Sequence, residues 1–307
     1  TERVLTLPTR NGAPLRVAVL VDLPLAAAAG GHVRCWERLA EAARDFPNEL
    51  DVTVHFMGPE AERRELSDTV RYRIDPPVFA THRLPFLSHV PDHTDLSPWH
   101  PGLARRLAQY DVIHTTDAYF AYARTAMVVS RRRNIPIVNS VHTNTPAYAR
   151  LFTAETIERL FGSSAIARLL LARFDVAQRM ERRMLRQLAR YQRECAFVLV
   201  SRPDQLADVR AQIGERAGLL RRGIDRRRFH PARRDRAWLA QHYVIPPERL
   251  VISTDCGMGR EGMSRRHAFY KIVSLVLGTN IVRKELGYPQ AECLAADERY
   301  SLIVPAK

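Results

Sequence analysis

The segments Asp111-Val-Ile-His-Thr-Thr-Asp117 and Ile135-Pro-Ile-Val-Asn-Ser-Val-His-Thr-Asn-Thr-Pro146 decide the fold. Each predicts a short apolar strand, and residues 118–133 between them predict a helix. A hairpin cannot contain a helix of that length, so the two strands must run parallel. Ligands collect at the carboxyl edge of such sheets. The residues predicted to share this rim are Thr115, Thr116, Asp117, His142 and Thr143.

The bulk composition is that of a globular protein. The chain has 307 residues, of which 46% are hydrophobic and 26% are charged, enough for one large or two medium domains. Its apolar runs are too short and interrupted to span a bilayer, and no secretion signal stands near Thr1. The four cysteines form no CxxC pair, which predicts reduced thiols in a cytoplasmic protein.

The net charge of +14 is carried mostly by arginine and predicts an anionic partner such as phosphate groups, anionic lipid or nucleic acid. No recognition helix, aromatic platform or zinc module accompanies the charge, which disfavours nucleic acid. A basic amphipathic helix is predicted over residues 165–192, and residues 221–236 are rich in arginine. Such a helix can lie on an anionic membrane at the inner face. The favoured alternative is that its apolar stripe belongs to the core.

The first strand is predicted over Leu15–Val21 and is followed by Gly30-Gly31 and a helix over residues 32–44. This is the first half of a βαβ unit. The paired glycines let the backbone approach a ligand, and the amino end of the helix offers N–H groups to an anion. A plain flexible turn is the alternative.

The remaining chain repeats the same alternation of strands and helices. Strands are predicted over 51–57, 70–74, 195–201, 218–222 and 249–254, and helices over 102–110, 153–161, 165–192, 203–212 and 233–242. Residues 75–101 contain too many prolines for regular structure, and their four histidines lack metal-ligand spacing. The α/β order without a hairpin predicts a doubly wound parallel, Rossmann-like sheet, with a second sheet beginning near Leu219.

Five segments follow one another in the order of a known family. They are Arg16-Val-Ala-Val-Leu-Val with Gly30-Gly31, Asp111-Val-Ile-His114, Ser140-Val-His-Thr-Asn-Thr-Pro146, Val198-Leu-Val-Ser201 and Arg222-Gly-Ile-Asp-Arg-Arg-Arg-Phe-His-Pro231. Through them, residues 15–250 resemble the N-terminal, acceptor-side half of GT-B glycosyltransferases, specifically the retaining enzymes called group 1 or family 4. In the last segment, Arg222 stands where that family has an asparagine.

The resemblance implies transfer of a sugar, as in hexosyltransferases, from a nucleotide-sugar to a glycan or lipid acceptor between two Rossmann-like domains. His142 matches the catalytic strand-end histidine near the transferred sugar. A neutral imidazole suits the orientation of a hydroxyl, whereas a leaving diphosphate needs N–H groups and cations. The residues expected to bind the donor are Gly30, Gly31, Asp117, Thr143, Arg222 and Arg260. No tightly bound cofactor and no metal are expected.

After Val251 the sequence departs from the family. The segments Ser253-Thr-Asp-Cys-Gly-Met-Gly and Gly278-Thr-Asn-Ile-Val-Arg283 resemble the end of proteins related to cobalamin-independent methionine synthase. Cys256 would match a zinc ligand there, although a buried thiol is the favoured interpretation. We therefore expect a GT-B-like domain over 1–215, a hinge over 216–251 and a truncated or replaced second domain over 252–307, with one or two helices over Met263–Leu286.

Three functional hypotheses remain open from the sequence. The first is a glycosyltransferase. The second is a non-catalytic module that binds an anionic acceptor or a lipid head group, which the incomplete donor side favours for the chain as it stands. The third, supported by the tail alone, is a relic of a zinc-dependent methyltransferase.

Overall fold

The computed structural model describes residues 12–26, 30–87, 94–220, 232 and 265–296. The chain divides into two compact units, Thr1–Arg222 and Gly223–Lys307, and this boundary falls inside the hinge predicted over 216–251. The helix predicted over 233–242 and the strand predicted over 249–254 lie outside the described residues, as do Arg222, Cys256 and Arg260.

A sheet of eight strands forms the centre of the first unit. The strands are β1 (Leu15–Pro24), β2 (Leu50–Met57), β3 (Glu62–Ser67), β4 (Val70–Asp75), β5 (Val112–Thr115), β6 (Ile137–Val141), β7 (Phe197–Val200) and β8 (Ala217–Leu219). Their order is β3-β4-β2-β1-β5-β6-β7-β8, and only β3 and β4 pair antiparallel. The predicted doubly wound, Rossmann-like α/β sheet is confirmed.

Helices connect the strands and form two apolar clusters with the sheet. They are α1 (Gly31–Ala43), α2 (Pro101–Leu107), α3 (Ala121–Arg133), α4 (Thr145–Phe161), α5 (Ala165–Arg168), α6 (Val176–Glu194) and α7 (Pro203–Ile213), with α8 (Arg265–Glu285) in the second unit. Along β1, Val19 and Val21 belong to the cluster that contains α1, whereas Ala18 and Leu20 belong to the cluster that contains α2, α3 and α7. Alternate residues of a strand point to opposite faces, so β1 is covered on both.

The order of the strands creates a switch point between β1 and β5. From β1 the chain proceeds to β2 and β4 on one side, and from β5 it proceeds to β8 on the other. The loops that leave β1 and β5 therefore part in opposite directions and open a crevice at the carboxyl edge. The backbone N–H and the hydroxyl of Thr116 both donate to the carbonyl of Leu20, at 3.2 and 2.9 Å, and hold the two strand ends together.

The buried carboxyl group of Asp22, near the end of β1, organises this crevice. It accepts hydrogen bonds from the backbone N–H of Tyr122 at 3.1 Å and of Asp95 at 3.5 Å. It thereby joins β1 to the first turn of α3 and to the loop that precedes α2. Burial raises the pKa of Asp22 well above its ordinary value, and the nearby Asp117 adds to this effect.

The hairpin formed by β3 and β4 contradicts the prediction of an α/β order without hairpins. β3 has the sequence Glu62-Arg-Arg-Glu-Leu-Ser67 and lies at the edge of the sheet. Its arginines pair with glutamates of the same strand, Arg64 with Glu62 and Arg63 with Glu65. An edge strand covered by charges needs no apolar alternation, so hydrophobic periodicity gave no signal. At the opposite edge, β8 joins the same sheet, and the expectation that a second sheet begins near Leu219 is wrong for this strand.

Helix α4 begins at Thr145, well before the predicted start at residue 153. The side chain of Asn144 accepts a hydrogen bond from the backbone N–H of Ala147 at 3.3 Å and caps the helix. Pro146 lies in the first turn, where its fixed φ suits a helix and its missing N–H leaves no donor unpaired. Pro146 therefore belongs to the first turn of α4 and does not precede the helix.

The single helix predicted over residues 165–192 is broken into α5, a π-helical turn over Leu169–Arg173 and α6. Asp175, between the turn and α6, has φ 48°, a left-handed conformation that interrupts a helix. The prediction that the whole apolar stripe belongs to the core is wrong for its first half. The exposed side chains there are Ile166, Leu169, Phe174 and Met180. Ala177, between Phe174 and Met180, is buried, and Met184 and Leu188 pack against the core.

In the second unit, α8 accounts for the helix predicted over Met263–Leu286. Among the described helices, none is both long and apolar enough to cross a membrane.

Two tyrosines three positions apart give a matched test of the core. Tyr122 is fully buried and its hydroxyl donates to the carbonyl of Phe56 at 3.0 Å. Tyr119 is also buried, but its hydroxyl has no hydrogen-bond partner among the described residues. Removal of a partner from a buried carbonyl costs about 1–3 kcal/mol. We therefore expect Tyr122→Phe to lower the free energy of unfolding by that amount and Tyr119→Phe to leave it unchanged or raise it. Urea unfolding followed by circular dichroism measures both, and equal losses would contradict the assigned hydrogen bond.

Candidate functional site

His142 lies at the carboxyl edge of the sheet, directly after β6. Its ring stacks on the ring of His32, with centroids 4.4 Å apart and an interplanar angle of 14°. His32 is the second residue of α1 and follows Gly31. The structure thus brings the predicted strand-end histidine and the predicted glycine pair to the same edge of the sheet.

A chain of hydrogen bonds leads from His142 into the core. His114 of β5 pairs in register with Val138 of β6, and Ser140 lies two residues further on the same face of β6. The hydroxyl of Ser140 lies 2.8 Å from Nε2 of His142 and 2.9 Å from Nε2 of His114. The indole ring of Trp36 stands edge-on to both imidazoles, with centroids 4.6 Å from His114 and 5.8 Å from His142.

The protonation states along this chain depend on one another. Burial lowers the pKa of His114 to about 3, so its imidazole is neutral at physiological pH. The hydroxyl of Ser140 has a single proton, so it donates to one imidazole and accepts from the other. When His142 carries a proton on Nε2, this N–H donates a hydrogen bond to the hydroxyl of Ser140, and that hydroxyl donates to Nε2 of His114. A proton at His142 is therefore accommodated by a tautomer of His114, without a buried charge there.

The amino end of α1 has no side-chain cap among the described residues. Gly30 is its N-cap with extended backbone, and the first turn contains no acidic residue. A Cβ added to Gly31 would meet no atom within 4 Å, and the backbone there is not left-handed. Neither packing nor conformation within the described chain requires a glycine at position 31. The free space and the dipole of the helix suit a phosphate group.

The other residues predicted at the rim differ in exposure and in role. Asp117 caps the turn before α3, since its Oδ1 accepts hydrogen bonds from the backbone N–H of Tyr119 at 2.7 Å and of Phe120 at 3.0 Å. Burial raises the pKa of Asp117. Thr143 is exposed beside His142. The hydroxyl of Thr115 is directed into the core, where that of Tyr191 donates to it at 3.1 Å.

The sequence did not predict four residues of the site, which are His32, Trp36, His114 and Ser140, although each lies in or beside a segment that was singled out. His114 and Ser140 lie within quoted segments, and the two-residue period of β6 places Ser140 on the face of His142. His32 follows the glycine pair directly. Trp36 is one turn further along α1, inside the helix predicted over residues 32–44. Their contacts depend on the order of the strands, which the sequence did not give.

The structure assigns a local role to one histidine of the proline-rich loop. His100 caps α2, because its Nδ1 accepts a hydrogen bond from the backbone N–H of Leu103 at 3.1 Å. In the part of the chain that the structure describes, no group of three or more residues is arranged to hold a metal ion, and no disulfide joins Cys35, Cys195 or Cys293. The zinc site suggested at Cys256 stays a prediction, which metal analysis of the purified chain would check.

Together these features define a doubly wound α/β protein with an anion-suited helix end and an imidazole at its switch-point crevice. The family model described as Glycosyltransferase Family 4 matches residues 29–228, close to two thirds of the chain, and the chain belongs to this family.

Among solved structures, the crystal structure of Os79 from O. sativa in complex with UDP is similar, with 16% sequence identity and a TM-score of 0.34. The match covers 66% of this chain and 50% of that chain, so the chain spans half the length of that relative. Among curated proteins, none matches the chain.

The buried imidazole of His114 makes stability depend on pH. In the unfolded chain it takes up a proton near pH 6.5, whereas in the folded chain it does so only near pH 3. Between these values the unfolded state binds more protons, so acidification favours unfolding by about 1.4 kcal/mol per pH unit. We expect the free energy of unfolding of the wild type to fall faster than that of His114→Asn between pH 6 and pH 4.

Urea unfolding at several pH values measures this difference. His55, whose pKa burial also lowers to about 3, is present in both proteins and cancels from the comparison. Parallel stability curves would contradict the assignment of a buried neutral imidazole at position 114.

Proposed function

We propose that this chain acts in the transfer of a sugar from a nucleotide-sugar donor to an acceptor hydroxyl, at the crevice between β1 and β5. The observation that carries the proposal is the stack of His142 on His32, beside the amino end of α1. In this arrangement the imidazole of His142, which can orient a hydroxyl, is close to the amino end of α1, which suits a diphosphate. Membership of Glycosyltransferase Family 4 supports the same chemistry.

The amino end of α1 is proposed to hold the diphosphate of the donor. During transfer the bond between the anomeric carbon and the diphosphate oxygen breaks, and the diphosphate leaves with the electron pair. Backbone N–H groups that point at this developing charge stabilise it. The space above Gly31 allows the close approach that such hydrogen bonds require. Arg222 and Arg260 are proposed as additional cations, on the basis of the sequence resemblance.

His142 is proposed to orient a hydroxyl of the sugar or the acceptor. As the new bond forms between the acceptor oxygen and the anomeric carbon, the acceptor hydroxyl passes its proton to the oxygen of the departing diphosphate. The hydrogen bonds through Ser140 to His114 hold the ring of His142 and couple its tautomer to that of His114. Asp117 is proposed to act indirectly, through the turn that it caps, and Thr143 to contact the donor from the exposed rim.

The finer features of the reaction are proposals that rest on the resemblance to group 1 enzymes. We propose a hexose as the transferred sugar, retention of its anomeric configuration, and a glycan or lipid as the acceptor. Proton NMR of the product, through the coupling constant of the anomeric proton, distinguishes retention from inversion. An inverted product would overturn this part of the proposal and leave sugar transfer intact.

Calorimetric titration with uridine, guanosine and adenosine diphosphate sugars tests the proposal. We expect one donor to bind, and His142→Ala to lower the rate of transfer more than it lowers donor affinity. Hydrolysis of the bound donor in the absence of acceptor provides the rate while the acceptor is unidentified. Binding without turnover would contradict sugar transfer by this chain. Absence of binding to every donor would also overturn the donor site and leave the non-catalytic module, which binds an anionic acceptor or a lipid head group.

Substitution of Gly31 separates ligand binding from folding. Because a Cβ at this position meets no atom of the described residues within 4 Å, we expect Gly31→Ala to keep the stability of the chain. The methyl group occupies the space proposed for the diphosphate, so donor affinity should fall at least about tenfold, a loss of about 1.4 kcal/mol. Titration and thermal unfolding measure the two effects.

Gly102→Ala is the matched control. Gly102 also lies in the first turn of a helix, α2, where an added Cβ meets its nearest atom, Cε1 of His100, at an ordinary 3.5 Å. We expect neither stability nor affinity to change. Unchanged donor affinity in Gly31→Ala would exclude this helix end as the diphosphate site.

A further inference from the structure

Helices α4 and α6 form a pair that extends beyond the sheet. Near its carboxyl end, α6 is fixed to the end of β5 and the turn after it. There Gln187 donates to the carbonyl of Ala118 and Tyr191 to the hydroxyl of Thr115, both at 3.1 Å. Residues 176–186 precede these contacts, so α6 continues for about 16 Å past them at 1.5 Å per residue. Helix α4 follows β6 directly and packs along α6.

The connection between these helices exposes a cluster of apolar side chains. Residues 160–174, here called the hairpin tip, contain the end of α4, all of α5 and the π-helical turn. Five large apolar side chains of the tip are between 41% and 58% exposed, namely Leu160, Phe161, Ile166, Leu169 and Phe174. Single exposed apolar residues are common on soluble proteins, whereas five within 15 residues are typical of an interaction surface.

The same helices have an excess of positive charge. Residues 145–194 contain ten arginines and five acidic residues. Four of the acids are already neutralised by ion pairs, which are Glu155 with Arg159, Glu181 with Arg150, Asp175 with Arg182 and Glu194 with Arg131. Arg168 and Arg173 of the tip make no ion pair within the described part of the chain. Arg183 and Arg186 of α6 likewise make none there and line shallow surface depressions.

We propose that the hairpin tip binds the surface of an anionic lipid bilayer. The apolar side chains would enter the boundary between head groups and acyl chains, while Arg168 and Arg173 contact lipid phosphates. An exposed tip that combines apolar and cationic side chains fits a fluid anionic interface. The positive charge of the tip favours an anionic bilayer over a protein surface with few acidic residues. It also disfavours a second copy of this chain, which carries the same positive charge.

The proposal also fixes the distance between membrane and site. Helix α4 begins three residues after His142 and ends in the tip. Its 17 residues span about 25 Å. The crevice would therefore lie about that far from the bilayer along the helix. The binding of lipid does not rest on the proposed sugar transfer and is measured without any nucleotide-sugar.

Sedimentation of the full chain with vesicles tests the apolar part. We expect binding to vesicles of phosphatidylglycerol and phosphatidylcholine at low salt, and little binding to phosphatidylcholine alone. The triple variant Leu160→Ser, Phe161→Ser, Ile166→Ser should bind at least about tenfold more weakly. Phe46→Ser is the control, because Phe46 is 48% exposed on another part of the unit, and it should bind as the wild type does.

A pair of charge-matched variants tests the cationic part. Arg168→Gln with Arg173→Gln removes two charges from the tip, and about a fivefold loss of binding is expected for each. Arg132→Gln with Arg133→Gln removes two charges from the exposed end of α3 and should change binding less than twofold. Salt should release the wild type, since it screens these charges.

Three results would overturn the proposal. Equal losses in the two arginine pairs would show that net charge alone attracts the protein. Absence of binding to anionic vesicles would exclude the membrane. A dimer in sedimentation velocity that disappears in the triple serine variant, without lipid binding by the wild type, would assign the tip to a second copy of the chain.

Discussion

The crevice of this protein depends on the hydrogen bonds that the buried carboxyl group of Asp22 accepts from Tyr122 and Asp95. A buried polar group is stable only when it has partners, and both partners here come from segments far away in the sequence. They bring the first turn of α3 and the loop before α2 to the end of β1. The loops after β1 and β5 can then part in opposite directions, and the carboxyl edge between them stays open.

The site follows from this opening and from the two-residue period of the strands. The face of the sheet that carries His114 and Ser140 meets α1, so the hydrogen-bond chain from the core ends at His142, under the ring of His32. The low pKa of His114 belongs to the same arrangement, because a neutral imidazole can serve as donor or acceptor in a buried chain. The polar groups of the site are thus held by core contacts, and among the described residues no atom lies within 4 Å of a Cβ built on Gly31.

The sequence predicted the sheet and the edge where polar residues gather, because buried parallel strands are continuous apolar runs with clear boundaries. It missed β3, whose charged side chains pair with one another and bury no face. It also missed the roles of Ser140 and Trp36, since their contacts join strands and helices that are distant in the chain. The exposed half of the apolar stripe on α5 and α6 could not be distinguished from core by periodicity, because a helix face has the same pattern whether protein or another partner covers it.

Helices α4 and α6 connect the exposed hairpin tip to the site at His142. Helix α4 starts beside His142, where Asn144 and Pro146 set its direction, and it ends in the exposed tip at Phe161. The break at Asp175 then returns the chain through α6, whose Tyr191 is anchored at Thr115 below the same crevice. Both helices of the hairpin therefore join the tip to the site, α4 through its start after His142 and α6 through Tyr191. With the tip on a bilayer as proposed, the crevice would stay about one length of α4 away from it.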